Sequence, residues 1–441
     1  MPDTAVLILA AGKGERMQSD LPKVLHPLGG RPLLSYSIEM AKALHPKKLV
    51  VLVGHQAGRI RKEFDDKKIV WVLQRQQLGT AHAVLCGLET LKKFKGLLFI
   101  LYGDVPLLRL ETLKRMQSLF VQEGASLVLL TAEMGDPTGC GRIVRDERGE
   151  IQRIVEEKEA IDGQRGIREV NCGIYLARVE DLFQPLRRVK KSIIKGEYYL
   201  TELVATFLQE GKRVVTVPVE NPEEVMGINS QNELARGDQI LQKEIREKWM
   251  ARGVTLIGAD SIRIDKDVEL GSGVILHPGV ILTGKTKIKR GAEILSYSVI
   301  EESFVGEGSR IGPFAHLRPG SLTGVGAHVG NFVELKKTRL GNGAKANHLS
   351  YLGDAVIGAR ANVGAGTITC NYDGRGKYKT IIGEEAFIGS DTQLVAPVKV
   401  GKKAFVGAGT TVTKNVPPKA LALSRVEQKN VAGWVRKKGK K

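Results

Sequence analysis

Two hydrophobic periods divide the chain. Through about residue 225, short β-branched runs alternate with amphipathic stretches. Residues 5–9, 49–53, 69–72, 97–101 and 126–131 read as strands, and 31–44, 80–91 and 111–122 as helices between them. Strand then helix, repeated, predicts an α/β domain with a mostly parallel, Rossmann-like sheet. Residues 228–251 are polar, with Leu234, Ile240, Leu241, Ile245 and Trp249 at helical intervals, which predicts a connecting helix over 232–249. From residue 252 the period becomes six: Ile264, Leu270, Leu276, Leu282, Ile288, Ile294 and Ile300. After a one-residue slip it resumes as Val305, Ile311 and Leu317, and again as Ile382, Ile388, Leu394, Val400, Val406 and Val412. Neither an α-helix nor an alternating strand has that period. A hexapeptide repeat does, with one aliphatic side chain per face pointing inward and three faces per coil. The polar run between Ile368 and Ile381 breaks the repeat and predicts a loop on one face of the solenoid. The expected domains are therefore 1–227, a connecting helix at 228–251, and a parallel β-helix at 252–441.

The glycine content, 51 of 441 residues, fits this reading, because sharp solenoid corners need residues that tolerate φ > 0. The net charge of +19 suits anionic small substrates as well as nucleic acid. Aromatic residues are 5% of the chain, which argues against an RNA-reading surface. The basic residues are spread over small-ligand motifs, so no nucleic-acid partner is expected. The C-terminal run Arg436, Lys437, Lys438, Lys440 and Lys441 reads as a solvated tail. Four scattered cysteines with no CxxC suit a reducing cytosol. The apolar run from Val6 to Ala11 is too short to span a membrane and lacks a signal peptide's flanks. A cytoplasmic protein with no membrane insertion is expected.

Candidate chemistry begins directly after the first strand. Gly12 and Gly14 let backbone N–H groups approach phosphate oxygens, with Lys13 and Arg16 beside them. No Gly-Lys-Ser/Thr follows, and Met17 stands where a dinucleotide fingerprint needs glycine. Alone this is an ordinary tight turn; with Lys23 nearby, two cations at one glycine turn suggest a polyphosphate. The segment from Gln74 to Thr80 offers amide groups and the exposed backbone of Gly79 to a base edge. Tyr102-Gly103-Asp104 follows an apolar strand, so Asp104 sits where α/β proteins bind ligands. A single carboxylate there suits Mg²⁺, and a helix-capping aspartate is the alternative. In the repeat half, Arg318, Lys336, His348 and Tyr351 fall on successive coils, with Asn362, Asn371 and Tyr372 beyond. Cations among aliphatic hexads suggest a phosphate site. His348, followed by Tyr351 and the polar loop, is a candidate general base, against the alternative of a hydrogen-bonded structural histidine.

The motifs LAAGKGERM, PKVL, QQLGTAHA, YGDVPL, PTGCGRI, IVEEK, NCG, GEYYLTE and GIN resemble, in order and spacing, the bacterial N-acetylglucosamine-1-phosphate uridylyltransferases. FAHLRPG, HVGNFVELKK, NHLSYLGDA, NVGAGTITCNYDG, IGSDTQLVAPV and ALSR resemble the glucosamine-1-phosphate acetyltransferase half of the same bifunctional enzymes. The resemblance runs from about residue 4 to 436 and implies a left-handed β-helix for the repeat half. It implies that Leu9, Ala10, Ala11, Gly12, Gln74, Gly79 and Thr80 hold uracil and ribose of UTP. Arg16 and Lys23 would hold the phosphates, and Asp104 and Asn229 would bind Mg²⁺. Tyr102 would line the UDP-sugar site, with Gly141, Glu156, Asn171, Tyr199 and Thr201 on the sugar of N-acetylglucosamine-1-phosphate. His348 would deprotonate the amine of glucosamine-1-phosphate for attack on acetyl-CoA. Arg318, Lys336 and Tyr351 would grip the sugar phosphate, and Asn362, Asn371 and Tyr372 would line the sugar and thioester. Ala365, Ser390 and Ala408 would run along the pantetheine, Arg425 would meet a CoA phosphate, and the assembly would be a homotrimer. Two positions depart from the pattern: Glu15 replaces an expected small hydroxyl residue, and Cys172 an expected threonine.

Overall fold

The computed structural model describes residues 2–192, 196–424 and 426–435. Arg425 and the basic run from Arg436 onward lie outside the described residues. The chain forms two compact units, Met1–Leu241 and Gln242–Lys441.

The sheet of the first unit runs Val214–Pro218, Leu127–Glu133, Glu169–Arg178, Leu97–Tyr102, Thr4–Ala10, Lys48–Val53, Ile69–Leu73. Its neighbours are parallel except around Glu169–Arg178, which is antiparallel to both of its neighbours in this order. Every residue of the central strand Thr4–Ala10 is buried. Its side chains alternate between two cores, Val6, Ile8 and Ala10 facing one, Ala5, Leu7 and Leu9 the other. Burial on both faces explains why this strand reads as an unbroken apolar run. The helices of this unit include Leu33–Ala43, Thr80–Leu88 and Leu110–Gln122, and also Ala57–Glu63, Val179–Arg188 and Glu202–Gln209, which are not among those expected from the sequence. The first begins two residues later than its amphipathic pattern, because Arg31–Pro32 pairs with Pro27–Leu28 as a small antiparallel ladder. Proline disfavours α geometry in the residue before it, so Arg31 is held extended. The second tightens into a 3₁₀ turn at Glu89–Leu91. Arg142–Arg145 and Ile151–Val155 add a hairpin that pairs with Glu169–Arg178.

The long helix spans Gln231–Met250. Its start is tied down by side chains: Ser230 Oγ accepts from Glu233 N, while the Glu233 carboxylate accepts from Ser230 Oγ at 3.0 Å and Asn229 N at 2.7 Å.

In the second unit, short strands stack into three parallel sheets of ten, nine and eight strands. The inward hexad positions are buried from Ile264 to Val412. The register between Leu317 and Ile382 does not lapse: it continues through Thr323, Val329, Leu335, Leu340, Ala346, Leu352, Ile357, Val363 and Thr369, all buried. Five-residue steps, as from Leu335 to Leu340, and small or hydroxylated residues disguise it in the sequence. The polar loop folds back on itself, with Tyr372 paired to Lys377 and Tyr378 N donating to Asn371 O at 2.8 Å.

Candidate active sites

At the carboxyl ends of the parallel strands of the first unit lies a cleft of about 1340 Å³. Leu9, Ala10, Ala11, Gly12, Arg16 and Lys23 line one part of it, Gln74, Gly79 and Thr80 a second, and Tyr102, Asp104 and Asn229 a third. Gly14 adopts φ 69°, and a Cβ there would lie 2.6 Å from Lys23 Cβ. Only glycine lets the segment carrying Lys23 approach the phosphate turn this closely.

Lys23, Asp104 and Asn229 converge. The Lys23 ammonium contacts the Asp104 carboxylate and donates to Asn229 Oδ1 at 2.9 Å. The Lys23 and Asp104 side chains are 13% and 12% exposed. Asn229 is brought there by Ile228 N, which donates to Asp104 O at 2.9 Å. Asp104 does not cap the following helix, whose N-cap position is Arg109. Two hard oxygens thus already close on one cation. Among the described residues there is no cluster of three or more His, Cys, Asp or Glu that could hold a metal. A pair of oxygens fits Mg²⁺, which keeps several waters and takes few protein ligands.

A second group gathers next to Tyr102. Glu156 accepts from Thr201 Oγ1 at 3.0 Å, and Asn171 N donates to Gly141 O at 2.8 Å. Asn171 Nδ2 donates to Tyr175 OH at 2.9 Å, and Leu200 N donates to Thr80 Oγ1 at 2.9 Å. Burial, followed by the nearby Asp104 and Glu156 charges, pushes the Tyr102 hydroxyl up, so it stays a neutral donor. Burial and Glu156 push Tyr199 the same way. Both departures from the expected pattern are mild. Glu15 is exposed and 3.9 Å from Lys13, while burial pushes the Cys172 thiol up and keeps it neutral.

In the second unit, His348 lies exposed at the end of the strand Lys345–His348. Asn331 stands opposite it in the neighbouring coil, and its Oδ1 lies 2.9 Å from His348 Nδ1. An amide oxygen there makes Nδ1 the protonated nitrogen and leaves the Nε2 lone pair free. Asn331 was not anticipated, although its place one coil before His348 is visible in the repeat register. Ala365, Ser390 and Ala408 occupy the equivalent corner position on successive coils beyond His348: Leu349 O accepts from Gly366 N, Ala365 O from Asp391 N, and Ser390 O from Gly409 N. Asn362 sits on the same sheet as His348, in register with Lys345.

Across the adjoining sheet, Arg318 Nη1 donates to Glu334 Oε1 at 2.9 Å, which holds its guanidinium charged. Lys336 is in register with Gly353. A Cβ on Gly353 would lie 2.5 Å from Tyr351 OH and 2.7 Å from Asn371 Nδ2, so the absent side chain leaves Tyr351 and Asn371 room to meet. Asn371 Nδ2 donates to Asp354 Oδ2 at 2.6 Å. Tyr372 is 61% exposed on the loop.

An α/β nucleotidyltransferase unit joined to a hexapeptide-repeat transferase unit defines a two-centre transferase. The MobA-like NTP transferase domain family matches residues 6–171, and the bacterial transferase hexapeptide family, as six repeats, matches residues 379–414. The chain is 45% identical to the bifunctional protein GlmU of Trichlorobacter lovleyi, with 99% of each chain covered. It is 46% identical to that of Stutzerimonas stutzeri, with 98% of each covered. The chain belongs to the bifunctional GlmU family, the enzymes that carry out N-acetylation and uridylyl transfer in UDP-N-acetylglucosamine synthesis. No helix among the described residues is long and apolar enough to cross a membrane.

Proposed function

We propose that the two centres act through the residues gathered above, with UTP and acetyl-CoA as co-substrates and Mg²⁺ as the metal. In the cleft, Leu9 to Gly12, Gln74, Gly79 and Thr80 hold the nucleoside, and Arg16 and Lys23 draw the triphosphate in. Gly141, Glu156, Asn171, Tyr199 and Thr201 orient N-acetylglucosamine-1-phosphate beside Tyr102. Its phosphate oxygen attacks the α-phosphorus in line, a new P–O bond forms, and pyrophosphate leaves. Mg²⁺ on Asp104 and Asn229, when bound, offsets the negative charge of the phosphates. Lys23 then turns its ammonium from these oxygens to the phosphates. The observation that carries this reading is the Asp104–Lys23–Asn229 convergence, a pair of metal-type oxygens already closed on a cation.

In the β-helix, His348 Nε2 takes a proton from the amine of glucosamine-1-phosphate. The amine nitrogen attacks the thioester carbonyl carbon, the C–N bond forms, and the CoA sulfur leaves. Asn331 holds the imidazole in the tautomer this requires. Arg318, Lys336 and Tyr351 bind the sugar phosphate, and Asn362, Asn371 and Tyr372 line the sugar and thioester. The small side chains of Ala365, Ser390 and Ala408 leave a strip for the pantetheine, with Arg425 for a CoA phosphate. His348 is exposed in a single chain, so a homotrimer that covers this face fits the chemistry. We assign the enzyme to the cytoplasm, where these substrates are made.

The test is direct. The purified chain is given UTP with N-acetylglucosamine-1-phosphate, and separately acetyl-CoA with glucosamine-1-phosphate. Mg²⁺-dependent pyrophosphate release in the first and free thiol in the second are expected. Failure of either removes the corresponding centre from the proposal.

A further inference from the structure

Gln74 is 4% exposed and lines the cleft, so which end of its amide faces the ligand is decided inside the protein. Its Nε2 lies 3.3 Å from the Gly79 carbonyl oxygen, which can only accept. That contact identifies the atom as nitrogen, since an amide oxygen there would face another oxygen. The same Nε2 lies 3.0 Å from His82 Nδ1. With the amide as donor, His82 Nδ1 is the acceptor and Nε2 carries the ring proton. That proton has a partner: His82 Nε2 lies 3.7 Å from Cys86 Sγ, one helical turn on. All three contacts agree on one proton arrangement. Both amide hydrogens of Gln74 are used, and its Oε1 accepts from no donor among the described residues.

We infer that His82, in the first turn of Thr80–Leu88 and not among the residues that line the cleft, sets the polarity of Gln74 and so the enzyme's choice of pyrimidine. This rests on the proposal that the cleft binds UTP. With its hydrogens committed, Gln74 can present only a carbonyl oxygen. Uracil meets it with the N3–H donor. Cytosine carries a lone pair at N3 and leaves two acceptors facing each other. A buried acceptor opposite an acceptor is disfavoured in the way that any unpaired buried polar group is. Without an acceptor at position 82, the longer 3.3 Å contact to the Gly79 carbonyl alone opposes rotation, and the amide can turn its NH₂ toward the base, which cytosine N3 accepts. His82 is thus a positioning residue that acts through Gln74.

The experiment compares His82→Leu with His82→Asn. Leu and Asn branch alike at Cγ, but only Asn places an oxygen near the position of Nδ1. For each full-length variant, kcat/KM is measured with UTP and with CTP on one preparation, so the fraction of folded enzyme cancels in the ratio. The UTP-to-CTP ratio is expected to fall at least about tenfold in His82→Leu and to stay within about threefold of native in His82→Asn, on the basis of one hydrogen bond exchanged for a repulsion. If His82→Leu is insoluble, His82→Ala replaces it with the same expectation. A native ratio in the Leu or Ala variant, or an equal fall in the Asn variant, would overturn the inference and leave His82 a packing residue. Native enzyme that does not turn over UTP at all would instead overturn the reading of the cleft on which the inference stands.

Discussion

At the residue scale, the two key side chains sit in opposite surroundings. Asp104 is nearly buried against Lys23, whereas His348 stands exposed with one partner, Asn331. Removing the Asp104 carboxylate leaves the Lys23 ammonium with only an amide oxygen and removes half of the proposed metal site. Asp104→Ala should lower uridylyl transfer by at least about 10²-fold, measured as pyrophosphate release at saturating Mg²⁺. A general base contributes ~10²–10⁴-fold, so His348→Ala should cut acetyl transfer by about that factor with the melting temperature unchanged. Asn331→Ala tests the tautomer. It should slow acetylation by roughly fivefold, the worth of one hydrogen bond of about 1 kcal/mol, and leave thermal stability as it was. Asp104 and His348 were legible in the sequence because each ends a recognisable run, the apolar strand for one and a repeat coil for the other. Asn331 and His82 were not, because each acts through a neighbouring side chain and carries no chemistry-bearing motif of its own.

At the scale of elements, the sequence marked strands most clearly where both faces are buried. Leu97–Tyr102 and Thr4–Ala10 are unbroken apolar runs, and each was found to within a residue or two. Glu169–Arg178 escaped notice because its ladder to Leu127–Glu133 shifts between Asn171 and Tyr175, which scrambles the alternation. The hexad register is faint in the sequence between Leu317 and Ile382, where five-residue faces and inward Thr and Ala interrupt the large aliphatics. The coils there are nonetheless tightly stacked. A Cβ on Gly330 would clash with the backbone oxygen of Asn347, in the neighbouring coil. Gly330→Ala must push those coils apart beside both Asn331 and His348. It should lower acetyl transfer and the β-helix melting temperature together, while uridylyl transfer stays native. Leu335→Ala, by contrast, empties an inward position and should destabilise the β-helix by about 2–5 kcal/mol in urea unfolding.

At the scale of the whole molecule, one chain carries two cores and two chemistries. In the sequence the first domain ends at residue 227, where the strand-helix alternation stops, and the period of six begins at 252, on the far side of the long helix. The compact first unit continues to Leu241, because the start of that helix packs onto it: Gln231 Nε2 donates to Met17 O at 3.1 Å, and Leu241 is buried beside Gly29 and Tyr36. A period change marks where the pattern alters, while a core ends where packing ends, and the two differ by about half a helix. A chain ending at residue 241 should therefore keep native uridylyl transfer, while one ending at residue 230 should melt lower. The central claim, two independent centres built from Asp104 and His348, is tested most directly by assaying both reactions on Asp104→Ala and His348→Ala full-length enzyme. The account predicts a crossed result, with uridylyl transfer lost and acetylation native in the first, and the reverse in the second. Loss of both reactions in either variant, or of neither, would contradict it.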